Sequence, residues 1–281
     1  MPPRQGTGLM HPENRTGADP SKRSGRGGAA PCPSCGGTGF AIVSRGESGR
    51  TYARRCSCTD TDLSRTLLGR SRIPRRYDAC DFHSFFRGPE FHPSLDQAYS
   101  IVRGFVDNYT VRKAREESEF GLLLLGPPGV GKTHLAVAAL KSLIVEQGVH
   151  GVFADFRELI KSLQASYDPA SPDSESQVLR PLVQAEVLVL DDLGASRMTE
   201  WVRDMVGHIV NSRYNERRVT LITSNLSDEA GTRDSKRPVL TDRIGPAVRS
   251  RLHEMCVVVE IDGEDFRLKV KRSSRVDPHR H

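Results

Sequence analysis

The 281-residue chain has no long apolar run, only six cysteines and few aromatic side chains. Its densest apolar run, Leu122 to Leu125, is far shorter than the roughly 20 residues that a membrane-spanning helix needs. Six cysteines are too few to build a disulfide-stapled scaffold in a chain of this length. The first residues contain no apolar stretch of the kind found in a secretory signal. We therefore expect a cytoplasmic protein in a reducing compartment, without membrane contact.

Charge is segregated along the chain, although the formal net charge is only +6. Residues 1–30 are rich in Gly, Pro, Arg and Ser and predict a disordered basic head. Residues 31–76 hold four of the cysteines and predict a small metal-binding module followed by a helical linker. Residues 77–268 are acidic overall and form the predicted main domain, and residues 269–281 form a basic tail. Basic ends on an acidic body are typical of proteins that contact nucleic acid or an acidic partner, although solvated disordered ends would look the same.

From residue 120 onward, short apolar runs alternate with amphipathic stretches of helical period. The apolar runs predict strands at residues 120–125, 152–154, 187–190, 219–223 and 256–261. Five strands separated by helices predict an α/β fold with a parallel sheet covered by helices on both faces. Two further helices are predicted over residues 95–117 and 240–254, each from its apolar periodicity.

A phosphate-binding motif follows the first of these strands. Gly126-Pro127-Pro128-Gly129-Val130-Gly131-Lys132-Thr133 matches G-x-x-x-x-G-K-[ST], the Walker A pattern, and His134 comes next. Glycines allow backbone N–H groups to approach a phosphate chain, and the following helix N-terminus favours negative charge. Lys132 supplies a cation for the β- and γ-phosphates, and the Thr133 hydroxyl is a ligand for Mg²⁺. The motif therefore predicts a site for ATP with Mg²⁺.

Two further strands end in polar residues that suit the same site. Asp191 and Asp192 follow an apolar strand, which places carboxylates at the ligand-binding edge of a parallel sheet. Asp191 is the expected Walker B ligand of Mg²⁺, and Asp192 is expected to polarise the attacking water. Asn225 ends the next strand and is a candidate to orient that water. The alternatives are a helix-capping acid and a turn-forming Asn, respectively.

Two arginines, Arg249 and Arg251, lie on the helix before the last strand. Exposed arginines there could reach the γ-phosphate bound by a neighbouring subunit. A solvated basic helix face is an equally good explanation of the same pattern.

The N-terminal cysteines form two close pairs, Cys32-x-x-Cys35 and Cys56-x-Cys58, separated by a Gly-rich segment. Two pairs across a short hairpin can place four thiolates tetrahedrally around Zn²⁺. The second pair is spaced more tightly than is usual, and reduced thiols without metal remain the alternative. Cys80 and Cys256 lie in apolar surroundings and are predicted core residues.

Together these motifs resemble the AAA+ ATPases, and more closely the DnaC/DnaI helicase loaders and the related IstB transposition ATPases. The resemblance covers about residues 73–268 and includes GPPGVGKTH at 126–134, FRELIKSLQASYD at 156–168, VLVLDDLG at 187–194, TSN at 223–225, DRIGPAVRSRL at 242–252 and VVEIDGEDFRLK at 258–269. It implies a P-loop AAA+ core without a C-terminal helical lid, since only 20 residues follow Ile261. It also implies that Asn225 is the sensor 1 residue and that Arg251, or alternatively Arg249, is the arginine finger.

The resemblance further implies that the insertion at about residues 156–184 contacts single-stranded DNA. Its candidate DNA-contacting residues are Arg157, Lys161, Tyr167 and Arg180, although each of these also suits an ordinary helix face. A zinc module before the ATPase domain resembles the DnaI-type arrangement, in which that module binds the replicative helicase.

These observations favour a helicase loader in DNA replication that hydrolyses ATP to ADP and phosphate, slowly unless a partner or DNA is present. We expect it to bind single-stranded DNA, to hold a replicative helicase through residues 31–76, and to self-associate through the ATP site. One alternative is an IstB-like ATPase that regulates a DNA transposase. Another is a weakly hydrolysing nucleotide-switch scaffold.

Overall fold

A computed structural model describes residues 32–35, 38–45, 50–168, 171, 174–196, 198–228 and 239–268. The predicted head (residues 1–30) and the predicted basic tail (residues 269–281) lie outside the described residues. Internal contacts divide the chain into two compact units, Met1–Cys56 and Ser57–His281. None of the described helices is long and apolar enough to cross a lipid bilayer.

The first unit is built on an antiparallel hairpin of β1 (Phe40–Arg45) and β2 (Arg50–Arg55). Phe40 pairs with Arg55 and Val43 pairs with Tyr52. The base of the hairpin is closed by Cys56, whose N–H donates to the carbonyl of Gly39 over 2.9 Å. The hairpin therefore returns the chain from the first cysteine pair to the second.

The second unit contains a parallel sheet and the helices that cover it. Its strands are β3 (Gly121–Leu125), β4 (Gly151–Asp155), β5 (Val187–Asp191), β6 (Val219–Ser224) and β7 (Cys256–Glu260). Its described helices are α1 (Ser57–Arg70), α2 (Ser94–Asp107), α3 (Tyr109–Ala114), α4 (Lys132–Gln147), α5 (Phe156–Ala165), α6 (Glu175–Gln184), α7 (Glu200–Asn215), α8 (Leu240–Ile244) and α9 (Pro246–Met255). The strand order is β4-β5-β6-β3-β7, and every neighbouring pair is parallel. The five-stranded parallel sheet predicted from the sequence is confirmed.

Successive residues of each central strand contribute to different cores. Leu122 and Leu124 of β3 pack with α2 and α4 in one buried cluster. Leu123 and Leu125 pack with α5, α6, α7 and α9 in the other. Because both faces are covered, the central strands are apolar throughout rather than alternating. This burial fixes the positions of the strand ends that carry the polar residues of the site.

Two helices predicted as continuous are each broken into two. The first predicted helix, residues 95–117, is interrupted at Asn108, whose side-chain amide donates to the carbonyl of Gly104 over 2.8 Å. Such a side-chain bond competes with the regular backbone pattern of a helix. The second, residues 240–254, is interrupted at Gly245, which has φ 82° and precedes Pro246. Proline disfavours helical geometry in the residue before it and is well accommodated at the start of the next helix.

The strand order places β6 between β3 and β5, the two strands that precede the Walker motifs. The carboxyl ends of β3, β5 and β6 therefore lie side by side at one edge of the sheet. This edge is where open α/β sheets bind ligands, and the candidate site lies there.

Candidate nucleotide and metal sites

The P-loop connects the end of β3 to the start of α4. Gly129 and Gly131 have φ angles of 83° and 97°, in the left-handed region that favours glycine. A Cβ at Gly131 would lie 2.7 Å from a ring carbon of Phe85, and one at Gly129 would lie 2.0 Å from Asp265 Oδ1. Glycine is therefore required at positions 129 and 131, by backbone conformation and by close neighbours.

The side chain of Lys132 is folded back into this loop and is almost completely buried, with 6% of its surface exposed. Its Nζ donates to the carbonyls of Gly126 (2.9 Å) and Pro127 (2.7 Å) and to Oδ1 of Asn225 (2.8 Å). Three acceptors compensate a buried ammonium group that would otherwise be costly to desolvate. These are exchangeable partners, so phosphate oxygens can replace them when a nucleotide binds.

Asp191 lies at the end of β5, directly opposite the hydroxyl of the P-loop threonine. Its Oδ1 accepts hydrogen bonds from Thr133 Oγ1 and Thr223 Oγ1, both over 2.7 Å. Burial raises the pKa of Asp191 by more than these two hydrogen bonds lower it. The nearby charges of Asp192 and Asp155 raise the pKa further. A hydroxyl beside a buried carboxylate offers the hard oxygen donors that Mg²⁺ prefers. Thr133 and Asp191 therefore fit a magnesium site.

Asp192 follows the last residue of β5 and has a φ angle of 60°, in the left-handed backbone region. Asp adopts this conformation more readily than most residues do. Its N–H donates to Thr223 Oγ1 over 2.8 Å, and its Oδ1 accepts from Asn225 Nδ2 over 2.6 Å. Its Oδ2 lies 3.4 Å from Nη2 of Arg157, at the start of α5. Asn225 thus contacts both Lys132 and Asp192, and the structure brings these three predicted site residues together.

The two arginines on α9 differ in their surroundings. Arg249 forms two hydrogen bonds to Asp228: its Nε donates to Oδ1 over 2.8 Å and its Nη2 donates to Oδ2 over 2.7 Å. His253 Nε2 also lies 2.8 Å from Asp228 Oδ1. Burial raises the pKa of Asp228, but the hydrogen bonds from Arg249 and His253 outweigh it, and the net shift is downward. Arg251 is partly exposed, and its guanidinium has no hydrogen bond or ion pair to the residues that the structure describes. Neither arginine is among the described residues that line the cleft around Lys132.

The candidate DNA-contacting residues of the 156–184 insertion all have partners within the chain. Arg157 forms the ion pair with Asp192 described above. Lys161 contacts Glu158 at 2.9 Å, and Arg180 contacts Gln184 at 3.1 Å. Tyr167 donates to Glu175, and its ring packs edge-on against Trp201 with centroids 5.6 Å apart. Their suggested contacts with DNA stay predictions.

The four N-terminal cysteines converge as the spacing predicts. The Sγ atoms of Cys32, Cys35, Cys56 and Cys58 all lie within 4.8 Å of one another, and none of these four described cysteines is in a disulfide. The sulfurs of Cys32 and Cys56 are 3.8 Å apart. Four sulfurs bound to one zinc at about 2.3 Å would be about 3.8 Å apart. The cluster therefore fits a Cys₄ zinc site.

A cleft of about 1330 Å³ runs over the P-loop and continues to an aromatic region. Its phosphate-binding end is lined by Lys132, Thr133, Asp191, Asp192 and Asn225, together with His134. Its other end is lined by Phe86, Phe91, His92, Leu95, Gly263 and Phe266. Sequence patterns did not indicate this second end, because nothing in either segment shows that residues 86–95 and 263–266 lie together.

Comparisons with known proteins agree with this geometry. The chain is 31% identical to the ATP-binding protein of insertion sequence IS21 of Pseudomonas aeruginosa, over 66% of this chain and 64% of that protein. It is 28% identical to the replicative helicase loader DnaI of Bacillus subtilis, over 52% of this chain and 47% of that protein. The chain thus spans less than two thirds of the length of either relative. A solved structure of the DnaC helicase loader is 33% identical and matches with a TM-score of 0.55, over 67% of this chain and 99% of that one.

The sequence profile of the IstB-like ATP binding protein family matches residues 113–274, which include the P-loop, the paired acids and the C-terminal strand. More than half of the chain is matched by this profile, and the matched residues contain all five strands of the parallel sheet. The chain belongs to the IstB/DnaC-like family of ATP-binding proteins.

Proposed function

We propose that this protein is an ATPase that loads a replicative helicase onto DNA. The observation that carries the ATPase assignment is the hydrogen-bonded series Lys132–Asn225–Asp192 beside the Thr133–Asp191 pair. A phosphate-binding cation, a Mg²⁺ ligand pair and a carboxylate for water thus lie within one cleft. These are the parts that phosphoryl transfer to water requires.

In the proposed reaction each residue has one task. Lys132 exchanges its carbonyl acceptors for β- and γ-phosphate oxygens. Thr133 and Asp191 would hold Mg²⁺, and the ion would supply positive charge beside the phosphates. Asn225 and Asp192 orient a water, and Asp192 accepts a hydrogen bond from it as the water attacks the γ-phosphorus. The bond from the γ-phosphorus to the terminal oxygen of ADP breaks, which yields ADP and phosphate.

The test of the nucleotide site is Lys132→Ala. Loss of this cation should abolish measurable ATP binding or reduce turnover by about 10²–10³ or more, because a charge-assisted contact to phosphate is lost. Lys113→Ala removes an exposed lysine that contacts Glu186 at 3.4 Å and is the matched control. Binding and hydrolysis of ATP by Lys132→Ala at wild-type levels would show that the cleft is not the nucleotide site.

The loader assignment is supported by the 33% identity to the DnaC helicase loader and by the Cys₄ module before the ATPase domain. We propose that residues 31–76 form a partner-binding module that holds the hexameric helicase, and that residues 77–268 form the ATPase domain. Self-association through the ATP site and binding of single-stranded DNA belong to the same proposal.

The second candidate is a transposition ATPase, which is favoured by the 31% identity to the IS21 ATP-binding protein. Capture of purified replicative helicase by the full chain, with ATP-dependent binding of single-stranded DNA, is expected for the loader. Binding of duplex DNA as ATP-dependent filaments, with no capture of helicase, would instead favour the transposition ATPase.

A further inference from the structure

Four arginines are concentrated in a short segment to which the proposed reaction gives no task. Residues 70–77 read Arg-Ser-Arg-Ile-Pro-Arg-Arg-Tyr and contain no acidic residue. We call this segment, which begins at the last residue of α1, the arginine edge. It leads into residues 77–268, which are acidic overall. A local concentration of positive charge beside an acidic domain is typical of a surface that binds an anion.

The arginine edge is bonded to the outermost strand of the parallel sheet. The strand order β4-β5-β6-β3-β7 makes β4 an edge strand. The N–H of Phe153 in β4 donates to the carbonyl of Ser71 over 2.7 Å. Ser71 is fully buried, and its Oγ donates to the carbonyl of Leu68 over 2.7 Å. The segment therefore covers part of the sheet edge and is held there by a backbone hydrogen bond.

The other end of the segment is fixed by packing and by a lysine of α4. Ile73 and Tyr77 pack against the buried cluster that contains α2 and α4, and the ring of Tyr77 lies 5.7 Å from that of Phe153. Lys141 Nζ donates to the carbonyls of Tyr77 and Asp78, both over 2.7 Å. The apolar side chains of the arginine edge thus face the core, and the backbone that carries the arginines is fixed.

Three of the four arginines have no partner within the part of the chain that the structure describes. Arg70, Arg72 and Arg75 are exposed, and their guanidinium groups form no hydrogen bond or ion pair with described residues. Arg76 instead pairs with Asp155 at 3.5 Å. Arg72 has a φ angle of 59°, in the left-handed region that long side chains seldom adopt. Such strain is typical of functional sites, where surrounding contacts maintain it.

The chemistry of the arginine edge favours a phosphate backbone over an acidic protein. Guanidinium groups form bidentate, charge-assisted hydrogen bonds with phosphate. The centre of a protein–protein interface is apolar, whereas none of the large apolar side chains exposed in the described residues belongs to this segment. Protein–DNA interfaces are more polar and much more positively charged. The partner that fits is therefore a chain of phosphates.

Asp155 connects the arginine edge to the 156–184 insertion. This residue ends β4, and its Oδ2 lies 3.5 Å from Nη2 of Arg76. Its Oδ1 accepts from the N–H groups of Arg157 (2.9 Å) and Glu158 (3.3 Å) at the start of α5. One carboxylate thus contacts both segments, so a nucleic acid bound at the insertion can continue onto the arginine edge.

We propose that Arg70, Arg72 and Arg75 bind the phosphate backbone of DNA independently of its base sequence. The proposal depends on the proposed function of the chain as an ATPase that acts on DNA. Internal contacts place these residues in the unit Ser57–His281, with the ATPase sheet. Within residues 31–76, the three arginines are therefore assigned to DNA, and capture of the helicase is assigned to the Cys₄ cluster and its hairpin.

The test measures how DNA binding by the full chain depends on salt. Single-stranded and duplex oligonucleotides are titrated with Mg²⁺–ATP present, at about 50–200 mM salt, for the wild type, each single alanine variant and the triple variant. Each lost phosphate contact reduces the slope of log K against log salt by about 0.7 for single strands and about 0.9 for duplex. The triple variant should reduce the slope by about 2 to 3 and weaken the Kd by about 10- to 100-fold. The loss should be the same for oligonucleotides of different sequence.

Three further variants separate phosphate binding from folding and from net charge. Arg115→Ala removes an exposed arginine between α3 and β3 and should keep the wild-type slope. The triple variant Arg70→Lys, Arg72→Lys and Arg75→Lys keeps the charge and should retain most of the slope. Arg72→Gly removes the cation and relieves the positive φ, so it should reduce the slope as Arg72→Ala does while having the higher Tm.

Unchanged slope and DNA affinity in the triple alanine variant would overturn the proposal. An equal loss in Arg115→Ala would also overturn it, because the effect would then be one of net charge. Weaker capture of purified helicase with DNA binding intact would show that the arginine edge binds protein instead. If the wild type binds neither single-stranded nor duplex DNA, the proposed action on DNA is wrong, and the DNA contact with it. ATP titration of the triple variant, expected to match the wild type, shows that the ATP site is intact.

Discussion

Asn225 shows how single side chains connect the parts of the candidate site. Its carbonyl oxygen accepts from the ammonium of Lys132, and its amide nitrogen donates to the carboxylate of Asp192. A phosphate that takes over Lys132 removes one of these two bonds and leaves Asn225 free to adjust beside Asp192. We therefore expect nucleotide binding to change the hydrogen bonding of Asp192, the group expected to polarise water.

Asp191 gives a prediction about pH and stability at the residue scale. Its pKa is raised mainly by burial, so the native protein binds this proton more tightly than the unfolded chain does. Its carboxylate therefore lowers the free energy of unfolding as pH rises through the raised pKa. Asp191→Asn keeps an oxygen that accepts from Thr133 and Thr223. Without Mg²⁺ at pH 8, its Tm should equal or exceed that of the wild type, and the difference should vanish toward pH 3.8.

Thermal unfolding with and without Mg²⁺–ATP checks this prediction. The nucleotide should raise the Tm of the wild type and of Asp204→Asn, an exposed control on α7. It should have much less effect on Asp191→Asn, which lacks the anionic ligand. A lower Tm for Asp191→Asn without Mg²⁺ at pH 8, or full stabilisation by Mg²⁺–ATP, would contradict the role given to Asp191.

At the scale of elements, helix α9 carries two arginines with different surroundings. Arg249 is held by Asp228 and His253, whereas Arg251 makes no side-chain contact of this kind with the described residues. An arginine that contacts a neighbouring subunit's γ-phosphate is worth about 10³–10⁵ in rate. Arg251→Ala should therefore leave Tm and ATP affinity unchanged and remove the turnover stimulated by DNA or helicase. ATPase assays with and without these partners measure the effect.

Arg249→Ala is the companion variant on the same helix, because Arg249 is the alternative arginine finger. It breaks the bidentate contact with Asp228 and leaves a partly buried carboxylate with fewer partners, so a lower Tm is expected. Mixing Arg251→Ala with Lys132→Ala should restore some turnover, since one interface then pairs an intact P-loop with an intact Arg251. Full stimulated turnover in both arginine variants would exclude an arginine finger on α9.

Apolar periodicity predicted the helices of this domain but not the breaks within them. The helix predicted directly after the P-loop is present as α4, because a strand, a Gly-rich loop and an amphipathic stretch follow each other without interruption. The breaks at Asn108 and Gly245 lie inside continuous apolar patterns, so periodicity alone did not reveal them. Local chemistry decides both breaks, through a side-chain hydrogen bond in one and a Gly-Pro pair in the other.

At the scale of the whole molecule, the zinc cluster should be separable from the ATPase domain. The purified protein should contain about one Zn²⁺ per chain, because four thiolates fit one tetrahedral ion. Cys32→Ser and Cys58→Ser should release the metal and unfold residues 31–60, while ATP binding persists. Metal analysis, circular dichroism and ATP titration of the full chain measure these effects.

Cys80→Ser is the control, since this thiol lies outside the cluster and burial raises its pKa. It should retain zinc. Protein purified without chelator that contains no zinc, or Cys58→Ser that retains it fully, would show that the four cysteines serve another purpose.

Much of the candidate nucleotide site was predictable because its parts are local. The P-loop glycines, Lys132 and Thr133 are contiguous, and Asp191 with Asp192 directly follows an apolar strand. The stacking of Phe86 on Phe266 was not predictable, since the two residues are 180 positions apart and no sequence pattern joins them. The contact of Arg157 with Asp192 was likewise missed, because a charge on a helix pattern does not indicate its partner.

The amino-acid sequence by itself determined the order of strands and helices, the phosphate loop and the paired cysteines. Each of these follows from short-range effects: burial periodicity, glycine backbone freedom and the geometry of metal ligands. Only the tertiary structure decided that β6 lies between β3 and β5, which brings Asn225 to Lys132, and that Asp228 engages Arg249. Those contacts join residues distant in the chain, and they depend on which surfaces pack together to bury apolar area across the whole domain.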